Sequence, residues 1–327
     1  MKRIVAATIL VSLAVVTVLA WMGRLPPKQA REPDFGITFS ITYAWWLGLD
    51  WRETWLAIAD ELGVKQMRVP VYWSETEREQ GVFRWEDTDW IMEEAAKRGI
   101  KLTLVIGMKG PRWPECYIPD WAEMLDATRR EQAAITYIEE TVRRYRRAPA
   151  LERWQVENEA FLPFGECDGT NVWQFLREIA RVKDLDDKPV QVTVSGELEP
   201  WLYAAIPADI LGVSLYRMTW NRLFGYFVYP FPPAFYWLRG LLVSTLVDRV
   251  VISELQAEPW FPEPVQNRTP GEWYKTFDDE RFRAHVEYAR RTRISEVSLW
   301  GAEWWYYLKL HGEPRLWDVA KEIFSSK

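Results

Sequence analysis

The sequence predicts an α/β protein built as a single (β/α)8 TIM barrel. Eight short apolar runs alternate with longer amphipathic segments over residues 35–327. The runs are rich in Val, Ile and Leu and mostly continuous, as expected of strands buried on both faces. Eight such units form a closed barrel. A doubly wound sheet is the alternative, but it usually has a Gly-rich first turn, which the first run, FGITFSITYAWWLG, lacks.

The predicted strands follow one another without an internal repeat or long linker. They span residues 35–41, 66–71, 101–106, 152–156, 190–195, 210–215, 250–252 and 296–300. The segments between them have helical periodicity, and two of these stop at Gly63 and Gly99, which are C-terminal cap signals. One segment, residues 220–246, is too apolar for a hydrated loop. We expect its second half to be the sixth helix and residues 224–235 to form a lid or a membrane-contacting patch.

Residues 1–30 are predicted to lie outside the barrel domain, which we place at residues 31–327. Lys2 and Arg3 precede an uncharged stretch, residues 4–22, roughly as long as a membrane-spanning helix. We expect an uncleaved transmembrane anchor, with the barrel exported to the outside of the cytoplasm. The alternative is a secretory signal cleaved near Val18-Leu19-Ala20, which would release a secreted protein.

The net charge and the residue composition limit the classes of ligand that the protein is expected to bind. A net charge of -6 gives no basic surface, so nucleic acid is not an expected partner. The 21 Trp residues are unusually many; indole faces stack well on sugars, although large barrels also use Trp as core filler. The two histidines, His285 and His311, fall outside the predicted strand ends. We therefore expect neither a metal nor an organic cofactor.

The two cysteines, Cys116 and Cys167, lie in turn-rich segments that follow predicted strands. In an oxidising compartment such a pair can form one disulfide. The alternative is two unpaired thiols, because the sequence does not show how close their Cα atoms come.

The ends of the predicted strands carry polar and aromatic residues. Barrels of this class build their sites at the C-terminal mouth, so these residues should share one pocket. Two acids stand out, because Glu159 ends the stretch WQVENEA and Glu254 ends the run in VISELQAEPW. The other strand-end residues are Tyr43, Trp45, Trp46, Arg68, Trp73, Lys109, Arg112, Trp113, Glu157, Asn158, Tyr216, Trp300, Glu303 and Trp304. Aromatic rings with acids and arginines favour a carbohydrate ligand.

Four stretches carry a family resemblance. ELGVKQMRVPVYW, WQVENEA, VISELQAEPW and VSLWGAEWWYY resemble, in this order, strands 2, 4, 7 and 8 of glycoside hydrolase clan A. These are the cellulase-like, family 5-like, retaining (β/α)8 hydrolases, and the resemblance covers residues 35–327. It implies a glycosidase that uses two carboxylates in a double displacement.

The resemblance also implies roles for single residues. Glu159 would be the acid and later the base, and Glu254 the nucleophile, with carboxyl groups ~5–5.5 Å apart. Arg68 and Tyr216 would hydrogen-bond Glu254, and Asn158 would hold the 2-hydroxyl of the reacting sugar. Four tryptophans are expected to bind substrate: Trp300, Trp45, Trp113 and Trp304. Strict alternation would send Asn158 and Glu159 to opposite faces, so the strand must end irregularly there.

Alternatives to these roles remain at this point. Glu157 and Glu258 compete for the catalytic positions, and Glu159 and Glu254 could instead be structural partners of Arg68 or Arg153. The predicted function is hydrolysis of a β-linked poly- or oligosaccharide by an exported, membrane-tethered enzyme. A transglycosylase with the same residues is one alternative. A non-catalytic surface protein that binds glycans is the other.

Overall fold

A computed structural model of the chain describes residues 17–18, 21–22, 32–167, 170–223, 225–261 and 264–325. Eight parallel strands close into a barrel in the order β1-β10-β9-β6-β5-β4-β3-β2. The barrel strands are β1 (Asp34–Thr38), β2 (Gln66–Pro70), β3 (Lys101–Ile106), β4 (Leu151–Val156), β5 (Val190–Ser195), β6 (Ile210–Leu215), β9 (Arg249–Gln256) and β10 (Glu296–Trp300). The predicted (β/α)8 fold is therefore confirmed.

Helices cover the outside of the barrel. The described helices are Ile41–Trp46, Trp51–Glu61, Trp73–Thr76, Glu86–Arg98, Asp120–Glu123, Ala127–Tyr145, Val172–Leu185, Leu202–Ala205, Pro233–Val243, Pro270–Thr276, Asp279–Thr292, Ala302–Leu310 and Arg315–Ser325, with a 3-10 turn at Val265–Asn267. Their apolar faces pack on the strands in one continuous core. Helix Glu86–Arg98 ends at Gly99, whose φ of 65° is the left-handed cap expected there.

Two strand boundaries differ from the prediction. The first strand was predicted too long, because Ser40 accepts a hydrogen bond from the backbone N–H of Tyr43 at 3.2 Å and starts the helix Ile41–Trp46. Trp45 therefore lies on this helix. The seventh strand was predicted too short, because β9 continues through the polar residues Ser253, Glu254 and Gln256.

The apolar segment after β6 contains a hairpin and a helix. Strands β7 (Met218–Asn221) and β8 (Gly225–Val228) pair antiparallel, and the helix Pro233–Val243 follows. The expected sixth helix is thus present in the second half of the segment, whereas the hairpin was not predicted. Leu223, Phe227 and Val228 are exposed on it. Phe224 lies outside the described residues.

The predicted N-terminal anchor falls almost wholly outside the described residues. Of residues 4–22, the structure describes residues 17–18 and 21–22 alone. Within the described part of the chain, no helix has the length and apolar character needed to cross a bilayer.

Candidate active site

The fourth strand ends irregularly, as the sequence required. Glu157 and Glu159 have φ values of 59° and 45°, in the left-handed region that side chains rarely adopt. The backbone N–H of Asn158 donates to the carbonyl of Lys109 at 2.9 Å, and that of Glu159 donates to Thr193 Oγ1 at 3.0 Å. These long-range bonds hold the strained turn in place. Asn158 and Glu159 can therefore both belong to the mouth although they are adjacent in sequence.

Glu254, near the end of β9, is held by two side chains from other strands. Arg68 Nη1 donates to its Oε1 at 2.8 Å, and the Tyr216 hydroxyl donates to its Oε2 at 3.1 Å. Arg68 also donates to Asn158 Oδ1 at 2.6 Å and to Gln155 Oε1 at 2.7 Å. A buried guanidinium with three fixed acceptors cannot swing away, so it holds the carboxylate of Glu254 in one orientation.

Glu159 is buried and accepts a hydrogen bond from the Ser214 hydroxyl at 2.5 Å. Burial, followed by the charge of Glu254, raises the pKa of Glu159 to about 8. Burial disfavours the charged form, and a neighbouring negative charge adds to this effect. At neutral pH, therefore, the site combines a protonated carboxyl group with an arginine-paired carboxylate.

Asn158 has a free donor at the site. Its Oδ1 accepts from Arg68 and from the Thr193 hydroxyl, the latter at 3.2 Å. Its buried Nδ2 has no hydrogen-bond partner among the described residues. A buried donor without a partner is costly, so a ligand oxygen would satisfy it.

The competing acid Glu157 lies behind the strand end. Its carboxylate accepts the backbone N–H groups of Met108 at 2.9 Å and Lys109 at 2.6 Å. It is also adjacent to the buried Glu178, with which it shares a hydrogen bond. Its contacts therefore fix the β3 and β4 ends together, which is a structural role.

The Glu157–Glu178 pair predicts a pH-dependent stability. Burial and then the charge of Glu157 raise the pKa of Glu178 well above its usual range, so the folded chain holds a proton that the unfolded chain releases. Stability from this pair is complete below the unfolded-state pKa and decreases as the pH rises. We expect Glu178→Gln to lose less unfolding free energy than the wild type between about pH 5 and about pH 9.

Denaturant unfolding at both pH values measures this difference. The exposed Glu93→Gln, on helix Glu86–Arg98, is the matched control and should follow the wild type. If the free energy of unfolding has the same pH dependence in Glu178→Gln and in the wild type, the Glu157–Glu178 pair does not hold a shared proton.

The two remaining alternatives involved Arg153 and Glu258, and both residues bond other partners in the structure. Arg153 donates from Nη1 to Glu296 Oε2 at 3.1 Å, at the opposite end of the barrel strands from the mouth, and to neither candidate catalytic acid. Glu258 is bonded by Arg112 and accepts from Trp300 Nε1 at 2.9 Å. Glu254 is thus the acid that Arg68 and Tyr216 bind, and Glu159 lies within reach of its charge.

Comparison with known proteins adds a family relationship. The model of Glycosyl hydrolase family 10 matches residues 66–176, a segment that contains Arg68, Asn158 and Glu159. Over this segment the chain is similar to the glycoside hydrolases of family 10. The predicted resemblance and the prediction of a glycosidase are therefore confirmed. No curated protein matches the chain in sequence.

Solved structures share the barrel of this chain at low sequence identity. An endo-β-1,4-xylanase of family 10 from Gloeophyllum trabeum is 12% identical with a TM-score of 0.59, covering 92% of this chain and 99% of the xylanase. A GH5_18 protein from Streptomyces cattleya, in complex with GlcNAc, is 14% identical with a TM-score of 0.56, covering 83% and 70%. A β-galactosidase from Marinomonas ef1 is 12% identical with a TM-score of 0.57, covering 89% of this chain but 59% of the galactosidase. Such identities show the fold alone.

The aromatic residues of the candidate site divide into two groups. Trp45 and Trp113 are 44% and 66% exposed, on the segments that follow β1 and β3. Trp300 is mostly buried, and the Arg112 guanidinium lies 3.9 Å from its ring centre and 3.7 Å from that of Tyr43. Arg112 therefore occupies one face of Trp300, which leaves at most the other face for a sugar.

Trp304 differs from the prediction of a substrate-binding residue. Its indole is 1% exposed and packs on Trp273, Phe261 and Tyr307, with ring centres 5.4–6.2 Å apart. An indole without exposed area cannot stack on a sugar, so this tryptophan has a packing role. The reason is that Ala302–Leu310 is a helix whose buried face includes Trp304.

Cys116 and Cys167 are joined by a disulfide, with their Cα atoms 5.1 Å apart. The bond links the loop after β3 to the loop after β4, the two loops next to Glu159. Two unpaired thiols, the alternative left open by the sequence, are not found.

Three residues of the site were not identified from the sequence. Ser214 and Thr193 bond the side chain and the backbone of Glu159, respectively, and Glu115 is buried near both candidate acids. For Ser214 and Thr193, which lie within apolar strands, nothing in the neighbouring sequence indicates this role. For Glu115, the signal was an acid next to Cys116 in a proline-flanked turn.

Proposed function

We propose that the chain is a retaining glycosidase that hydrolyses β-linked bonds of a poly- or oligosaccharide. The observation that carries the proposal is a buried acid, Glu159, whose pKa is raised, near a second acid, Glu254, that Arg68 and Tyr216 bind. Bond cleavage needs a proton on the leaving oxygen and a negative charge at the anomeric carbon, and these two residues supply one each.

The proposed reaction has two displacements. Glu254 attacks the anomeric carbon while Glu159 gives its proton to the leaving oxygen, which produces a glycosyl-enzyme ester and a free leaving group. The ionised Glu159 then takes a proton from water as the water oxygen attacks the same carbon. This second step releases the sugar with its original configuration, returns Glu254 to the carboxylate and restores the proton on Glu159.

The remaining residues orient the sugar. The unpartnered Nδ2 of Asn158 would donate to the 2-hydroxyl of the reacting sugar, a bond that strengthens in the transition state. Trp300 would contribute its free face beneath that sugar. The exposed Trp45 and Trp113 would bind further sugar units at the rim of the mouth.

The configuration of the first product tests the proposal. We expect proton NMR of a freshly mixed wild-type reaction with an activated aryl β-glycoside to show the β-anomer first, followed by mutarotation. Residues 31–327 suffice for this assay, since they contain the whole barrel. First formation of the α-anomer would show inversion and would contradict the nucleophile role of Glu254.

We also propose an exported, membrane-anchored location for the enzyme. The uncharged stretch 4–22 supports it, as does the Cys116–Cys167 disulfide, because disulfides persist in oxidising compartments. Exposed Leu223, Phe227 and Val228 on the β7–β8 hairpin would add a second membrane contact.

Membrane flotation of three forms tests this location. The full chain should float with membranes, residues 31–327 should bind weakly, and the same fragment with Leu223→Ser, Phe227→Ser and Val228→Ser should be released. If residues 31–327 without the three substitutions are already released from membranes, the hairpin contact is ruled out. A full chain that remains soluble would rule out the anchor.

A further inference from the structure

A third acid, Glu115, lies at the candidate active site and has no role in the mechanism above. It belongs to the loop that connects β3 with helix Asp120–Glu123. The residue is 8% exposed, and its buried Oε2 has no hydrogen-bond partner among the described residues. A buried carboxylate oxygen without a donor is rare, because its desolvation is not compensated.

The position of Glu115 is fixed by its neighbours along the chain. The next residue, Cys116, is bonded to Cys167, and the backbone N–H of Glu166 donates to the Pro114 carbonyl at 3.0 Å. Gly165 packs against the same turn, where an added Cβ would lie 2.8 Å from Glu115 Cβ and 2.5 Å from the Pro114 oxygen. The loop after β4 thus holds Glu115 rigidly beside the strand that ends in Glu159.

The charged groups around Glu115 are those of the candidate active site. Burial raises the pKa of Glu115 well above its usual range, and the charges of Glu159 and Glu254 raise it further. Glu115 is therefore a third acid within reach of the charges of both candidate acids.

The nearby cations are already occupied. Lys109 Nζ donates to the carbonyl oxygens of Glu159 at 3.0 Å and Leu162 at 2.8 Å. Arg68 is bonded to Glu254, Asn158 and Gln155. Neither cation bonds Glu115, and no other donor among the described residues bonds its Oε2.

We propose that Glu115 is a specificity-determining residue that binds the ammonium group of an amino sugar at the candidate active site. This inference rests on the proposed function, which makes a sugar the ligand of this site. An ammonium group supplies the missing donor and also a positive charge, which lowers the raised pKa of Glu115 and lets its carboxyl group ionise on binding. A hydroxyl group would supply the donor alone, and a charge-assisted hydrogen bond is roughly twice as strong as a neutral one.

Equilibrium binding tests this inference without requiring turnover. Calorimetry would compare D-glucosamine with D-glucose, and D-galactosamine with D-galactose, with the N-acetylated sugars as neutral controls for size. In the wild type, at least one cationic sugar is expected to bind about tenfold more tightly than its hydroxyl and N-acetyl counterparts, the difference corresponding to one charge-assisted hydrogen bond. In Glu115→Gln this ratio should fall to near unity.

Glu166→Gln is the matched control, because Glu166 is an exposed acid in the partner loop of the same disulfide and should keep the wild-type ratio. Glu115→Ala, checked for folding by circular dichroism, provides a second variant. Absence of any preference in the wild type, or an unchanged preference in both Glu115 variants, would overturn the inference. An inverting or inactive enzyme with an intact preference would instead contradict the proposed function alone.

Discussion

Replacing Glu254 with alanine is expected to lower kcat for an activated aryl β-glycoside by about four orders of magnitude or more. The variant loses the atom that forms the bond to the anomeric carbon. It also leaves the guanidinium of Arg68 without its carboxylate partner, which is 2.8 Å away in the wild type. Single-turnover and steady-state rates of the purified variant measure this loss.

Added azide distinguishes a lost nucleophile from a misfolded protein. A small anion can enter the space of the missing carboxylate in Glu254→Ala and attack from the same side, which gives an α-glycosyl azide. Glu258→Ala is the informative comparison, because Glu258 is the competing acid and is bonded by Trp300 and Arg112. Azide rescue in Glu258→Ala, with none in Glu254→Ala, would transfer the nucleophile role to Glu258.

The second large effect is expected at Glu159, through the pH dependence of the reaction. This residue must be protonated to act as an acid, and its pKa is raised to about 8. For a glycoside with a poor leaving group, kcat/KM should therefore persist to about pH 8 and fall about tenfold per pH unit above it. A glutamate with an ordinary pKa would have lost its proton several units lower.

Glu159→Ala should remove this alkaline limb and lower kcat/KM for the poor leaving group by about 10²–10⁴. The loss should be much smaller for an activated phenol, which needs no proton to leave. Azide should then yield a β-glycosyl azide, because it attacks the glycosyl-enzyme in place of water. An alkaline limb that persists unchanged in Glu159→Ala would show that another group is the acid.

Much of the fold could be predicted because its signals are local. All eight predicted runs are barrel strands, since a parallel strand buried on both faces is mostly apolar. The candidate acids followed from the same logic, because strand ends of a barrel converge. The hairpin Met218–Val228 was missed because its strands are only four residues long and partly exposed, so their pattern is weak.

The local order of residues was sufficient to indicate the barrel, the convergence of Glu159 and Glu254, and the need for an irregular end to the fourth strand. The other features of the site depend on contacts between segments that are distant in the sequence. These contacts bury Trp304 within a helical cluster, place Arg112 on Trp300, join Cys116 to Cys167 and bring Glu115 near Glu159. Burial and neighbouring charge determine the protonation of a carboxyl group, and both depend on residues tens to hundreds of positions away in the chain.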